Sequence, residues 1–105
     1  MKVFFICNQN QNCSKTAANL FKNRFKTKSA GLYCSRPVTV RQISWADVVI
    51  VMEEEQRNEI SKHFPKQYLT KRVLSLDIPD IYNYNNAKLV KLLKLKLDDY
   101  SAVLT

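Results

Sequence analysis

Apolar and polar positions along the chain switch repeatedly between two periods. Lys2-Val3-Phe4-Phe5-Ile6-Cys7 is a short apolar run and predicts a buried strand. Residues 8–13, Asn-Gln-Asn-Gln-Asn-Cys, read as a polar loop, and Ser14 is a good helix N-cap. Ala17, Leu20, Phe21 and Phe25 then recur at helical spacing, while Lys15, Lys22, Arg24 and Lys26 fall largely elsewhere on the wheel. This predicts a first helix over about 14–26. Ser29 to Tyr33 reads as a second short strand or its exit, around the chain's only glycine, Gly31. A loop holding Pro37 follows, then a short helix over 39–46 ending near Trp45. Asp47 to Met52 is nearly all β-branched, as a strand buried on both faces should be. Glu53-Glu54-Glu55 suits the positive end of a helix, which should run to His63 and stop before Pro65. Arg72 to Leu76 predicts a fourth strand, residues 77–82 a loop, and 86–104 a last helix. That helix places Leu89, Leu92, Leu93, Leu97, Tyr100 and Leu104 on one face.

Strands that alternate with helices predict an α/β fold: a four-stranded parallel sheet flanked by helices on both faces, Rossmann-like in its layering. Ligands bind such sheets at the carboxyl ends of the strands. Three of those ends carry the candidates for chemistry: Cys7, the residues after Met52, and Asp77. A chain of 105 residues suits a single domain over 1–105. No apolar run approaches the ~18 residues of a membrane span. The apolar start is too short for a signal-peptide core, so a cytoplasmic protein without a membrane partner is expected.

Seventeen lysines and arginines against nine carboxylates give a formal net charge of +8. Such a surface attracts anions of several kinds: nucleic acid, acidic protein surfaces and phosphorylated substrates. The lysines are spread along the whole chain, and no zinc-finger spacing, basic zipper or RNA-binding aromatic signature is present. A solvated lysine-rich surface is the expectation, with a basic nucleic-acid-binding module as the alternative. Three cysteines without an export signal predict free thiols.

The segment 7–14 has a physical logic of its own. A strand ends in a cysteine, a loop curls over, and a helix begins. The helix N-terminus offers unpaired N–H groups and partial positive charge, where an anion can sit. A thiol placed there ionises more readily, and the thiolate is the reactive form. The curl needs positive φ, which asparagine tolerates best after glycine, and Asn8, Asn10 and Asn12 meet that need. Ser14 can cap the helix and bond a Cys7 thiolate. Against this stands the plainer alternative of a core cysteine beside a merely polar loop.

Val3 to Cys7, Asn10 and Ser14-Lys15-Thr16-Ala17 resemble the start of the low-molecular-weight protein tyrosine phosphatases, whose signature is Cys, five residues, Arg, then Ser or Thr. Ser29-Ala30-Gly31 resembles that family's second-strand exit, and Trp45 to Met52 its third strand. Asp77-Ile78-Pro79-Asp80 falls where the family keeps its general acid. The resemblance spans nearly the whole chain and is strongest to a compact subgroup of about this length. It implies a low-molecular-weight phosphatase-like fold, with phosphate-monoester hydrolysis through Cys7 as nucleophile and Ser14 as thiolate partner. Asp77 or Asp80 would be the acid, Asp77 being favoured at the strand end. Asn8, Gln9, Asn10, Gln11, Asn12 and Cys13 would form the phosphate-binding loop. The partner would be phosphate, or a phosphorylated protein or small molecule. Sugar-transport phosphocarrier domains carrying a phosphorylated cysteine resemble the chain less after the loop.

Cys13 occupies the position of the signature arginine. Arginine's planar, permanently charged fork holds two phosphoryl oxygens, and cysteine supplies neither property. Loss of one transition-state donor costs about 10²–10³ in rate, so turnover should be impaired unless Lys15, Arg36 or Arg41 substitutes. A phosphate-binding protein without turnover and a Cys7/Cys13 redox pair are the alternatives, the latter needing Cα atoms within roughly 7 Å.

The remaining candidates read as structural. His63, the sole histidine, suits a surface or capping role; Cys34 an incidental thiol; Trp45 the core; Tyr82 and Tyr84 either a substrate rim or plain surface. Lys88, Lys91, Lys94 and Lys96 read as a solvated helix face. No metal site or cofactor is expected.

Overall fold

The computed structural model describes residues 2–8, 13–32, 37–78 and 85–99. Four strands, β1 (Lys2–Cys7), β2 (Lys26–Gly31), β3 (Val48–Val51) and β4 (Arg72–Ser75), form one sheet in the order β2-β1-β3-β4. Each pairing is parallel, as the strand–helix alternation requires. The connecting helices are α1 (Cys13–Leu20), α2 (Val40–Trp45), α3 (Glu54–His63), α4 (Pro65–Thr70) and α5 (Ala87–Asp99).

The pleat sorts the apolar residues into two cores. Val3, Phe5 and Cys7 of β1 share a face with Val48 and Ile50 of β3, and that face packs on Ala17 and Phe21 and on Leu89, Leu93 and Leu97 of α5. Phe4 and Ile6 share the opposite face with Val49 and Val51, packed on Ile43 of α2 and Ile60 of α3. Phe5 stacks on Phe21 at 6.1 Å on the first face, and Phe4 meets Trp45 edge-on at 6.4 Å on the second. The central strands β1 and β3 are thus apolar at every position after Lys2 because both of their faces are covered.

The first helix and the second strand depart from the sequence expectation. The first helix starts at Cys13, so Ser14 lies in its first turn and not at its N-cap; it ends at Leu20 rather than near Lys26, and the chain turns over residues 21–25. Phe21 still reaches the core, which accounts for its helical spacing. The second strand accordingly starts at Lys26 and ends at Gly31, so Ser29 to Gly31 are its exit and not the start of a strand. It is an edge strand with exposed Lys26 and Lys28, a composition that discourages pairing with other chains but hides the strand from a hydrophobicity reading. Thr27 Oγ1 donates to the Ala18 carbonyl at 2.8 Å and fixes the strand start beneath α1.

Pro65 ends one helix and opens another. The preceding helix stops at His63, and Pro65 sits in the first turn of α4, where its missing N–H leaves no bond unmade. The short α2 ends at Trp45 as expected. It begins with a capping box: Gln42 N–H donates to Thr39 Oγ1 at 3.3 Å and Thr39 N–H to Gln42 Oε1 at 2.9 Å. The last helix is described to Asp99, so Tyr100 and Leu104 lie outside the described residues. Among the described residues, no helix is long and apolar enough to cross a membrane.

Candidate functional site

The strand order places a topological switch point between β1 and β3. From β1 the chain leaves for β2 on one side, and β3 enters on the other, so a crevice opens above their carboxyl ends. Cys7 closes β1 at this point. It is 1% exposed, and its Sγ lies 3.0 Å from the Oγ of Ser14, which is fully buried in the first turn of α1. The strand end and the helix start therefore meet through a thiol–hydroxyl hydrogen bond, beside the N–H groups that α1 presents at its N-terminus. Cys7 and Ser14 are thus brought together as the spacing expects.

Beyond Cys7 the main chain stays in the sheet ladder. Leu32 N–H donates to the Cys7 carbonyl at 3.0 Å, so the ends of β1 and β2 are locked together. Asn8 leaves the strand with its side chain engaged: Gln56 Nε2 donates to Asn8 Oδ1 at 3.1 Å. The same Gln56 carboxamide turns its Oε1 to the end of β3 and accepts from Met52 N–H at 2.8 Å and Glu53 N–H at 2.9 Å. One buried amide, 2% exposed, thereby ties the loop after β1 to the exit of β3. Gln56 was not among the sequence candidates. Its signal was the spacing Glu53-x-x-Gln56, the back-bonding half of a capping box at the start of α3.

Thr16, likewise fully buried, accepts from Asn85 N–H at 2.8 Å through its Oγ1. This joins the first turn of α1 to the segment entering α5. Asn85 has φ of 60°, a left-handed conformation that asparagine tolerates.

Asp77 lies just past β4, exposed, with φ of 56°. Leu76 N–H bonds the Val51 carbonyl at 3.0 Å and Ile78 N–H the Met52 carbonyl at 2.8 Å, so Asp77 is held between two anchored neighbours in a left-handed conformation costly for a non-glycine residue. The ends of β1 and β4 are two strand spacings, roughly 10 Å, apart. Asp77 thus stands at the same edge of the sheet as Cys7, on the far side of β3. Asp80 and the loop residues Gln9, Asn10, Gln11 and Asn12 lie outside the described residues. Cys13 opens α1, but its side chain lies outside them too. Among the described residues, no group of His, Cys, Asp and Glu side chains is placed to hold a metal ion.

Of the other singled-out side chains, Cys34, Tyr82 and Tyr84 lie outside the described residues. His63 is exposed at the end of α3, with Nε2 3.0 Å from Glu59 Oε2. Trp45 is half-buried at the end of α2, with the Lys28 ammonium 4.5 Å from its ring centroid.

No protein-family model and no curated protein sequence matches the chain. Solved structures do match in three dimensions. The tyrosine phosphatase Wzb from Escherichia coli K30, crystallised with phosphate, superposes with a TM-score of 0.80 at 17% identity, over 99% of this chain and 98% of its own. The low-molecular-weight protein tyrosine phosphatase from T. tengcongensis gives 0.76 at 14% identity, over 99% and 97%. The YwlE arginine phosphatase from Geobacillus stearothermophilus gives 0.66 at 18% identity, over 96% and 86%. The four-stranded parallel sheet with its helices is the fold of the low-molecular-weight protein tyrosine phosphatases.

Proposed function

We propose that the loop over residues 7–14 binds the phosphoryl group of a phosphate monoester, with Cys7 as the nucleophile of a slow, low-molecular-weight-phosphatase-like hydrolysis. The observation that carries this reading is the buried contact of 3.0 Å between Cys7 Sγ and Ser14 Oγ at the foot of α1. A cysteine that only filled the core would need no hydroxyl partner, and it would not need to end a strand at the switch point of the sheet. The shared fold adds support, since Wzb carries phosphate in its crystal.

In this reading the Cys7 thiolate attacks phosphorus and displaces the ester oxygen, which takes a proton from Asp77 or Asp80. Water then attacks the phosphocysteine, releasing inorganic phosphate and restoring the thiol. Ser14 Oγ donates to the thiolate as it forms. The N–H groups of the loop over Asn8, Gln9, Asn10, Gln11, Asn12 and Cys13 hold the phosphoryl oxygens. What the loop lacks is the signature cation: Cys13 stands where the family signature carries arginine, so amides and the helix dipole balance the charge on the transferring group unless Lys15, Arg36 or Arg41 substitutes. Turnover should fall by about 10²–10³ or more against an arginine-bearing loop.

Hydrolysis of an aryl phosphate by the wild type, Cys7→Ser and Cys13→Arg tests the reading. Slow turnover that vanishes in Cys7→Ser and rises at least about 10²-fold in Cys13→Arg is the expected result. Silence in the wild type with activity in Cys13→Arg would favour a phosphate-binding protein that has given up catalysis. Silence in all three would sink the phosphatase reading.

A further inference from the structure

In the sequence the lysines are spread from end to end, but the fold gathers them. The helix layer formed by α1, its following turn and α5 carries Lys15, Lys22, Arg24, Lys88, Lys91, Lys94 and Lys96 against two carboxylates, Asp98 and Asp99, at the far end of α5. The stretch over residues 39–71, which supplies the opposite helix layer, carries five cations and five carboxylates. Its α3 pairs Arg57 with Glu54, and Lys62 and His63 with Glu59. Among the described residues, no lysine of α1 or α5 forms a salt bridge.

The pole of α5 that faces away from the core is not simply polar. Leu89, Leu93 and Leu97 point into the core, which places Leu95 near the centre of the outer face, 55% exposed, between Lys88 and Lys91. A shallow groove of about 310 Å³ is lined there by Lys88, Lys91, Leu92 and Leu95. A second, of about 270 Å³, brings Arg24 beside Lys94 and Asp98 where α5 crosses the end of α1. Arg24, from the turn after α1, thus meets Lys94 of α5 in one groove, and Lys88 and Lys91 flank the outward Leu95 in the other.

We propose that this face docks on an anionic phospholipid surface. Two side-by-side helices present a broad front, and a cluster of lysines on such a front gains from a negative leaflet, each cation adding to the attraction. Lysine stems lie along apolar surface while their ammonium groups reach the headgroups, so Leu95 can enter the acyl boundary without stranding a charge. A nucleic acid would satisfy the lysines but would cover Leu95 with phosphate and return nothing for it. The contact needs no membrane span and uses no residue of loop 7–14, so it stands whether or not the loop hydrolyses phosphate.

Co-sedimentation of the full chain with vesicles tests the proposal, comparing phosphatidylcholine alone with phosphatidylcholine holding roughly a third phosphatidylserine. Binding is expected to the mixed vesicles only and to be lost above about 0.5 M salt. Lys91→Glu with Lys94→Glu should weaken it at least about tenfold, and Leu95→Ser several-fold at unchanged charge. These positions are exposed, and circular dichroism checks that the variants stay folded. Failure to bind mixed vesicles at low salt overturns the proposal, as does binding that ignores both variants. Retention of short DNA without vesicle binding overturns it too and assigns the face to nucleic acid. The aryl phosphate assay run on the same variants should be unchanged, which separates failure here from failure of the hydrolysis reading.

Discussion

Gln56 has three bonds to lose, and two of them satisfy backbone N–H groups, on Met52 and Glu53, at the end of the central strand β3. An orphaned buried donor costs about 1–3 kcal/mol, so Gln56→Ala should destabilise the chain by roughly 3 kcal/mol in urea unfolding. Asn8→Ala removes only the third bond and should cost about 1 kcal/mol. If the two variants unfold at the same urea concentration, the amide is not the clamp described above. Ser14→Ala should act on chemistry more than on stability. The hydroxyl is buried against Cys7 Sγ, and its loss should lower any Cys7-dependent hydrolysis about tenfold or more, with a stability change of about 1 kcal/mol. At this scale the sequence was uneven. Cys7 and Ser14 were legible because a strand end and a helix start are local events seven residues apart, although Ser14 lies in the first turn and not at the cap. Gln56 was not, since a glutamine in a charged helix start reads as solvent-facing, and its burial depends on Asn8, which is 48 residues away in sequence.

Elements were legible wherever burial was two-sided. The strands β1 and β3 announce themselves because every position after Lys2 is buried. The β2 strand does not, because an edge position lets Lys26 and Lys28 stay exposed while Ala30 and Gly31 are buried. The same ambiguity lengthened α1 on paper: Phe21 and Phe25 keep helical spacing, yet the helix ends at Leu20 and Phe21 packs from the turn. Phe21→Ala should therefore cost about 3–5 kcal/mol, as for any core phenylalanine, although the residue lies outside a helix. At α2 the capping box, more than its six residues, defines the start. Thr39→Ala should cost about 1 kcal/mol, and Thr39→Asn much less, because asparagine caps as well as threonine. Equal losses for both would mean that Thr39 acts through something other than its hydroxyl. The helix α4 is hidden in the sequence because a proline ends one helix and pre-sets the first turn of the next with equal ease.

Charge belongs to the whole molecule, and it is where sequence order misleads most. Lys15 and Lys94 are far apart along the chain yet share one helix layer, so an even scatter in sequence becomes a one-sided field in space. That field repels itself. Added salt should therefore stabilise the fold, raising the melting temperature by a few degrees between about 0.02 and 0.3 M sodium chloride as the Debye length shrinks below the spacing of the lysines. Lys91→Glu should reduce that gain, and an unchanged salt response in the variant would deny that this layer is the source. At the opposite, amino end of the sheet one carboxylate works the other way. Lys2 N–H donates to Asp47 Oδ2 at 2.9 Å while Asp47 N–H returns a bond to the Lys2 carbonyl at 2.8 Å, clasping the start of β1 to the start of β3. The bond from Lys2 N–H holds the Asp47 carboxyl below its ordinary value of 3.8. A lowered folded-state value means the clasp stabilises fully above the unfolded value and is lost as pH falls through the folded one. Asp47→Asn should then unfold more easily than the wild type near pH 6, with the difference closing as pH falls through the lowered folded-state value. A gap that persists in acid would place the value of Asp47 in its shape rather than its charge. A gap that closes would show the sheet held at one end by a single anion, in a molecule otherwise dominated by cations.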